Sequence, residues 1–172
     1  VQGIEFFPNL ICLVVKTSQL TDLDLSENNL SVLDISGNSI ESLDLSTQGS
    51  LEYLDCSSNN ISGLDLSNNP YLWGLNFSNN LITSIDVTGN TELEEIWCAS
   101  NGLTSLDLSA KEKVAELYCA SNSFTELDFS GNLLLKTLKC NNNPSLATVW
   151  VSKGHTFDSL SKDDTTIISY KS

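Results

Sequence analysis

Five aspartates, Asp44, Asp65, Asp86, Asp107 and Asp128, stand 21 residues apart in a chain of 172. Rows of carboxylates are the oxygen donors that calcium takes, and a close pair of them is what acid–base catalysis uses. At ~5 Å separation, neighbours in such a row repel by roughly 0.8 kcal/mol even in water, so something must offset them. Ser46, Ser67, Thr88, Ser109 and Ser130 stand two residues further on. Their hydroxyls, or the backbone N–H groups of the following turn, can donate to the carboxylates, and interleaved calcium is the alternative. A second column at the same step holds Cys56, Cys98, Cys119 and Cys140, with Ile35 and Phe77 in its other two slots. Hydrocarbon in a slot that chemistry would need speaks against a thiolate metal or redox site, so these read as buried free thiols. In-register stacked side chains also rarely reach disulfide torsions. Cys12 lies outside the column, where exposure and reactivity are open to it, and His155 is the only histidine. No nucleophile–base constellation accompanies any of these groups, and the reading is no enzyme, no cofactor and no bound metal.

A third set of positions varies where the first two repeat. It reads Asp34, Asp55, Asn76, Trp97, Tyr118, Lys139, preceded at two residues' distance by Val32, Tyr53, Gly74, Glu95, Glu116 and Thr137. A position that recurs in every repeat serves the repeat, whereas a varied one is available for recognition. Trp97 and Tyr118 should therefore be neighbours on a solvent-facing surface, with Glu95 and Glu116 beside them, Tyr53 further along and Lys139 at one side. Exposed Trp and Tyr are residue types enriched at binding hot spots, and they can stack on a sugar or receive a protein side chain. The alternative is aromatic cross-strand packing that only stiffens a sheet.

The elements that must place these columns follow from the spacing. Apolar-x-apolar triplets recur from Leu33 to Leu138 at alternating steps of 10 and 11, giving a 21-residue unit with two strand-like segments. Alternation with period two, and connections rich in Asn, Ser, Gly and Pro, favour short strands with one buried face over helices. Each unit should be one coil of a solenoid, stacked on the next at the ~4.8 Å inter-strand spacing. About six coils make a rod roughly 30 Å long with one continuous core. Asn38, Asn59, Asn80, Asn101, Asn122 and Asn143, again 21 apart, should form a buried ladder that satisfies turn backbone and neighbouring coils together. The expected organisation is an N-terminal cap or partial repeat over 1–20, repeats over 21–152, and a C-terminal cap over 153–172. Those end segments, with Phe6, Phe7 and Leu10 in one and Phe157, Leu160 and Ile167 in the other, would shield the open ends of the stack.

Charge narrows the partners. Twenty-two acids against eight lysines give a formal charge of −14, and there is no arginine. Residues 1–110 hold fifteen acids and only Lys16, whereas residues 111–172 are balanced at seven and seven. A nucleic acid partner is excluded on that ground. No apolar run reaches the ~20 residues of a membrane span, so no membrane insertion is expected. No charged-then-apolar leader precedes Val1, which fits a trimmed mature chain or an excised fragment.

The stretches Ile82-Thr83-Ser84-Ile85-Asp86-Val87-Thr88-Gly89-Asn90-Thr91-Glu92-Leu93-Glu94-Glu95-Ile96-Trp97-Cys98 and Leu103-Thr104-Ser105-Leu106-Asp107-Leu108-Ser109 resemble the repeats of bacterial surface leucine-rich-repeat proteins with a cysteine ladder. Listerial internalins of that type and many secreted proteins of Bacteroidetes share the motif. Gly3-Ile4-Glu5-Phe6-Phe7 and Val149-Trp150-Val151 are similar to the segments that open and close such domains. Leu51 to Ile61 fits the general Leu-x-x-Leu-x-Leu-x-x-Asn-x-Leu motif, whose strand lines the concave face in that family. The resemblance implies a leucine-rich-repeat solenoid of the α-β horseshoe class, β-rich with little or no helix. It also implies a monomeric recognition module of a secreted or cell-surface bacterial protein, with a protein or carbohydrate ligand on the concave strands. A structural spacer within a larger surface protein is the alternative.

Overall fold

A computed structural model describes residues 3–171. After a single 3-10 turn at Ile4–Phe6 come β1 (Cys12–Val14), β2 (Val32–Asp34), β3 (Tyr53–Asp55), β4 (Gly74–Asn76), β5 (Glu95–Trp97), β6 (Glu116–Tyr118), β7 (Glu126–Phe129), β8 (Thr137–Lys139), β9 (Thr148–Ser152), β10 (Ser159–Ser161) and β11 (Ile167–Lys171). Eight of these pair in parallel, in the order β1-β2-β3-β4-β5-β6-β8-β10, and β11-β9-β7 form a second parallel sheet. The register advances 21 residues per strand through the middle, so Leu54, Leu75, Ile96 and Leu117 stack directly. This is a leucine-rich-repeat solenoid with almost no helix.

The stack is longer than the six coils expected from the regular step. Eight strands lie side by side, because the first and last coils depart from it: Leu13 pairs with Leu33 across 20 residues, and Leu138 with Leu160 across 22. Residues 12–14 open the long sheet, and residues 159–161 and 167–171 continue both sheets in parallel register. The segments 1–20 and 153–172 also contain Val1, Gln2 and Ser172, which lie outside the described residues.

The aspartate side differs from expectation too. Its segments form ladder strands only at β7, β9 and β11, and the equivalent stretches 43–45, 64–66, 85–87 and 106–108 are extended without strand pairing. Alternation of apolar and polar residues reports which side chains are buried, not whether neighbouring backbones hydrogen-bond. Coils pinned together at one sheet leave shallow clefts on this side, such as the one lined by Leu64, Asp65, Asp86 and Asn90.

Apolar side chains fill the interior continuously, as in one coil's Leu51, Leu54, Cys56, Ile61, Leu66 and Leu72, all at most 1% exposed. Each large aliphatic chain so buried contributes about 1.5–3 kcal/mol before entropy is set against it. Turning the corner after each strand costs backbone strain, because Ser58, Asn79, Ser100, Ser121 and Asn142 take φ between 55 and 58° and Gly37 φ 71°. Left-handed backbone costs a non-glycine residue roughly 1–2 kcal/mol. The residue following each of these is a ladder asparagine, and its amide offsets that strain. Asn80 Nδ2 donates to Cys56 O and Phe77 O, both at 3.0 Å, while its Oδ1 accepts from Ile61 N at 3.0 Å. Asn59 and Asn122 repeat this pattern, with Asn38, Asn101 and Asn143 making corresponding contacts. The amides bridge coils through backbone rather than bonding one another.

A second amide column, on the opposite corner, comprises Gln48, Asn69, Asn90 and Asn132 at 21-residue steps, with Asn28 one position out of step. Asn90 Nδ2 donates to Leu66 O and Asn69 O, and Asn132 Nδ2 to Leu108 O and Lys111 O. Lys111 occupies one slot of this column, 1% exposed, its amine donating to Thr88 O at 2.9 Å.

Removing the Asn80 amide orphans the buried Ile61 N–H, at about 1–3 kcal/mol, and takes one of two amide donors from Cys56 O and from Phe77 O, which keep Asn59 and Asn101. Asn80→Ala should therefore lower unfolding free energy by about 2 kcal/mol in urea titration. Asn80→Asp should lower it further at neutral pH, since a carboxylate would face the two carbonyls.

Candidate ligand-binding face

The varied positions form the outward face of the eight-stranded sheet, and the register sets who meets whom. Glu95 pairs with Glu116 and Trp97 with Tyr118 across β5 and β6, and Tyr118 with Lys139 across β6 and β8. The Trp97 and Tyr118 rings stack at 5.7 Å between centroids and 16° between planes. Both are half-buried, which leaves ring surface open to solvent. Tyr118 Oη donates to Glu116 Oε2 at 3.0 Å, holding that carboxylate against the stack. Lys139 is turned away, its Nζ 2.6 Å from Ser159 Oγ.

Tyr53 lies two strands from this group. Its ring occupies the space over Gly74, where a Cβ would come within 2.6 Å of Tyr53 Cδ2, so the missing side chain of Gly74 lets the ring lie on the sheet. Trp73, not among the sequence candidates, joins it at 5.6 Å and 46° and is 37% exposed. Alternation from Gly74 and Asn76 points residue 73 inward. It sits just ahead of the strand, where alternation no longer governs direction, and only its variable column of Glu52, Trp73, Glu94, Ala115 and Lys136 could have flagged it.

Not every varied position is free of duty to the coil. Asp34, Asp55 and Asn76 accept the backbone N–H two residues on, from Ser36, Ser57 and Ser78, at 2.9 to 3.2 Å. Asp34 also holds Lys16 Nζ at 2.6 Å. Burial pushes the Asp34 carboxyl up, but Lys16 and Ser36 together hold it below its ordinary value. The coils carrying Trp97, Tyr118 and Lys139 have no carboxylate or amide to offer at this position.

Electrostatics on the face is one-sided. Burial raises the Glu95 carboxyl above its ordinary value, and the nearby Glu116 and Glu94 charges add to this. The ion pairs among the described residues are Lys16–Asp34, Lys113–Glu92 and Lys171–Asp128, so no lysine neutralises Glu95 or Glu116.

The side chains of the other columns are engaged in the turns and the core. Asp44, Asp65, Asp86, Asp107 and Asp128 accept the backbone N–H of Ser46, Ser67, Thr88, Ser109 and Ser130 at 2.8 to 3.0 Å. That bond and the hydroxyls hold Asp44, Asp65, Asp86 and Asp107 below the ordinary carboxylate value. Lys171 does the same for Asp128, to about 2. Among the described residues no three His, Cys, Asp or Glu side chains come together as a metal-binding group. Cys56, Cys98, Cys119 and Cys140 are free, buried thiols, and burial pushes Cys56 up to about 12 and Cys140 to about 11, with Cys98 and Cys119 also raised. His155 lies in the turn after β9, its ring edge-on to Phe157 at 4.7 Å. No helix is long and apolar enough to cross a membrane among the described residues.

With this geometry established, known structures can be set beside it. The leucine-rich-repeat family profile matches residues 50–72, the stretch from the turn before β3 to the residue before Trp73. The functional domain of InlJ from Listeria monocytogenes, which includes a cysteine ladder, is 25% identical at a TM-score of 0.66, over 98% of this chain and 52% of that one. In fold the chain is similar to internalin-type leucine-rich-repeat domains. Internalin C2 from Listeria monocytogenes matches at 22% identity and a TM-score of 0.72 over 99% of this chain and 75% of its own. The Leptospira interrogans leucine-rich-repeat protein LIC12759 matches at 15% and 0.68 over 96% and 46%. The chain spans about half the length of the InlJ domain and of LIC12759. No curated protein sequence matches it. Domains of the internalin-like fold are commonly protein-binding modules.

Two measurements check these assignments. Thiol titration of the native protein should find one fast-reacting cysteine, the exposed Cys12, and four more only in denaturant. Glu95→Gln should raise the melting temperature at neutral pH. A carboxyl whose folded value lies above its unfolded value of about 4.5 favours folding while protonated and loses that contribution as pH rises through the folded value. The gap between variant and wild type should accordingly open on going from acid to neutral pH.

Proposed function

We propose that this chain is a non-catalytic, monomeric recognition module of a secreted or cell-surface bacterial protein, binding a protein or glycan on the face of its long sheet. The observation that carries this reading is the half-exposed Trp97–Tyr118 stack, set where neighbouring coils keep Asp34, Asp55 and Asn76 for their own turns. Large aromatic rings left partly in water, rigid and pre-stacked, lose little entropy when covered. Glu95 and Glu116 supply directional polar contacts beside them, and Tyr53 with Trp73 forms a second aromatic pair along the same face. Lys139 marks the end of the surface. The likeness to internalins of Listeria monocytogenes, which are surface or secreted proteins, supports placement outside the cell.

Replacing Trp97 and Tyr118 together by Ser should abolish capture of the partner on a protein and glycan panel. The pair is worth about 1 kcal/mol beyond its burial, and with the half-buried ring area lost as well the melting temperature should fall by about 10 °C with the fold retained. Retained binding, or global loss of structure, would instead assign the rings to stiffening the sheet.

A further inference from the structure

We infer that the occupant of this face is a basic protein surface, which seats a lysine or arginine side chain against Glu95 and Glu116 on the Trp97–Tyr118 stack. This rests on the recognition reading above and narrows its ligand. Glu95 and Glu116 are directly opposite each other in register on adjacent strands, with Glu94 beside them on β5's leading end, so like charges meet where a sheet ordinarily sets opposite ones. No ion pair among the described residues reaches either carboxylate, and Lys139, Lys16 and Lys113 are held by Ser159, Asp34 and Glu92. Residues 1–110, which supply five of the eight strands of the long sheet, carry fifteen acids and one lysine.

Covering the face removes water from both carboxylates. A neutral partner such as an uncharged glycan would leave the pair facing each other with less solvent than before, which raises the cost of binding. A cation relieves that repulsion and can at the same time lie over the adjoining rings, an arrangement favourable for guanidinium and ammonium alike. The Tyr118 hydroxyl, already donating to Glu116, fixes one carboxylate in position, and Trp97 Nε1, without a partner among the described residues, is available to a carbonyl of the incoming chain. The excess acid on this part of the molecule would also steer a basic partner toward it.

Titration of the whole protein with hexa-arginine, hexa-glutamate and a neutral chitin hexasaccharide, read by tryptophan fluorescence and by calorimetry, tests this directly. Hexa-arginine should bind and hexa-glutamate should not. The shape-preserving Glu95→Gln/Glu116→Gln variant should weaken hexa-arginine by about tenfold. A control with the same charge change away from the face, Glu27→Gln/Glu41→Gln, should change it less than about twofold. Equal weakening by the control, or no hexa-arginine binding by the wild type, overturns the inference. Saccharide binding that is lost in Trp97→Ser/Tyr118→Ser but untouched by Glu95→Gln/Glu116→Gln overturns it while leaving the recognition reading intact. Indifference of every probe to the aromatic substitutions overturns both.

Discussion

Each coil of this solenoid has to reverse direction with its backbone buried, and the side-chain amide that closes each corner makes that possible. A strand can satisfy its N–H and C=O groups against its neighbour, but a tight corner cannot, and an unpaired buried group costs more than a typical hydrogen bond returns. One asparagine per coil meets two carbonyls and one N–H at once, reaching from its own turn to the coil before it. Coil height, strand register and the left-handed residue ahead of every asparagine are all consequences of that clamp. The second amide column also ties neighbouring coils on the opposite corner, by donating to their carbonyls, and the buried Lys111 amine takes the place of an amide there by donating to Thr88 O.

Once the corners are clamped, the strands between them have little left to specify. Three residues suffice for each, the central one pointing into the core and its two neighbours outward. The outward pair is where the coils differ. The first coils keep an aspartate or asparagine to cap the turn ahead, and the later ones replace it by Trp97, Tyr118 and Lys139. Rigid spacing by the clamp brings Trp97 and Tyr118 into near-parallel contact without either ring having to search for it. The face is thus pre-organised by a feature on another side of the coil.

Much of this was legible in the residues. The constant step places Leu54, Leu75 and Ile96 on top of one another, and the same arithmetic puts Trp97 beside Tyr118 and Glu95 beside Glu116. What was not legible has physical causes. The end coils use 20 and 22 residues, because turns of slightly different length still fit the same strand spacing, so counting at a fixed step stops short of them. The second amide column hides because Gln48 reaches the same carbonyls with one more methylene and Lys111 interrupts it. Trp73 escaped notice since direction by alternation applies inside a strand and this residue precedes one. On the aspartate side, alternation records burial faithfully but says nothing of pairing, which there depends on how far the coils have spread.

The claim on which all else depends is that the asparagine ladder holds the coils in their stack. Amide hydrogen exchange at Ile40, Ile61, Ile82 and Leu103, whose N–H groups each donate to the Oδ1 of the next coil's asparagine at 3.0 Å, tests it most directly. If the ladder is the clamp, these four exchange only when their coils unfold, as slowly as the strand amides of the same coils. Faster exchange at these positions, with the strands still protected, would show that the corners open freely and that the sheet alone carries the solenoid.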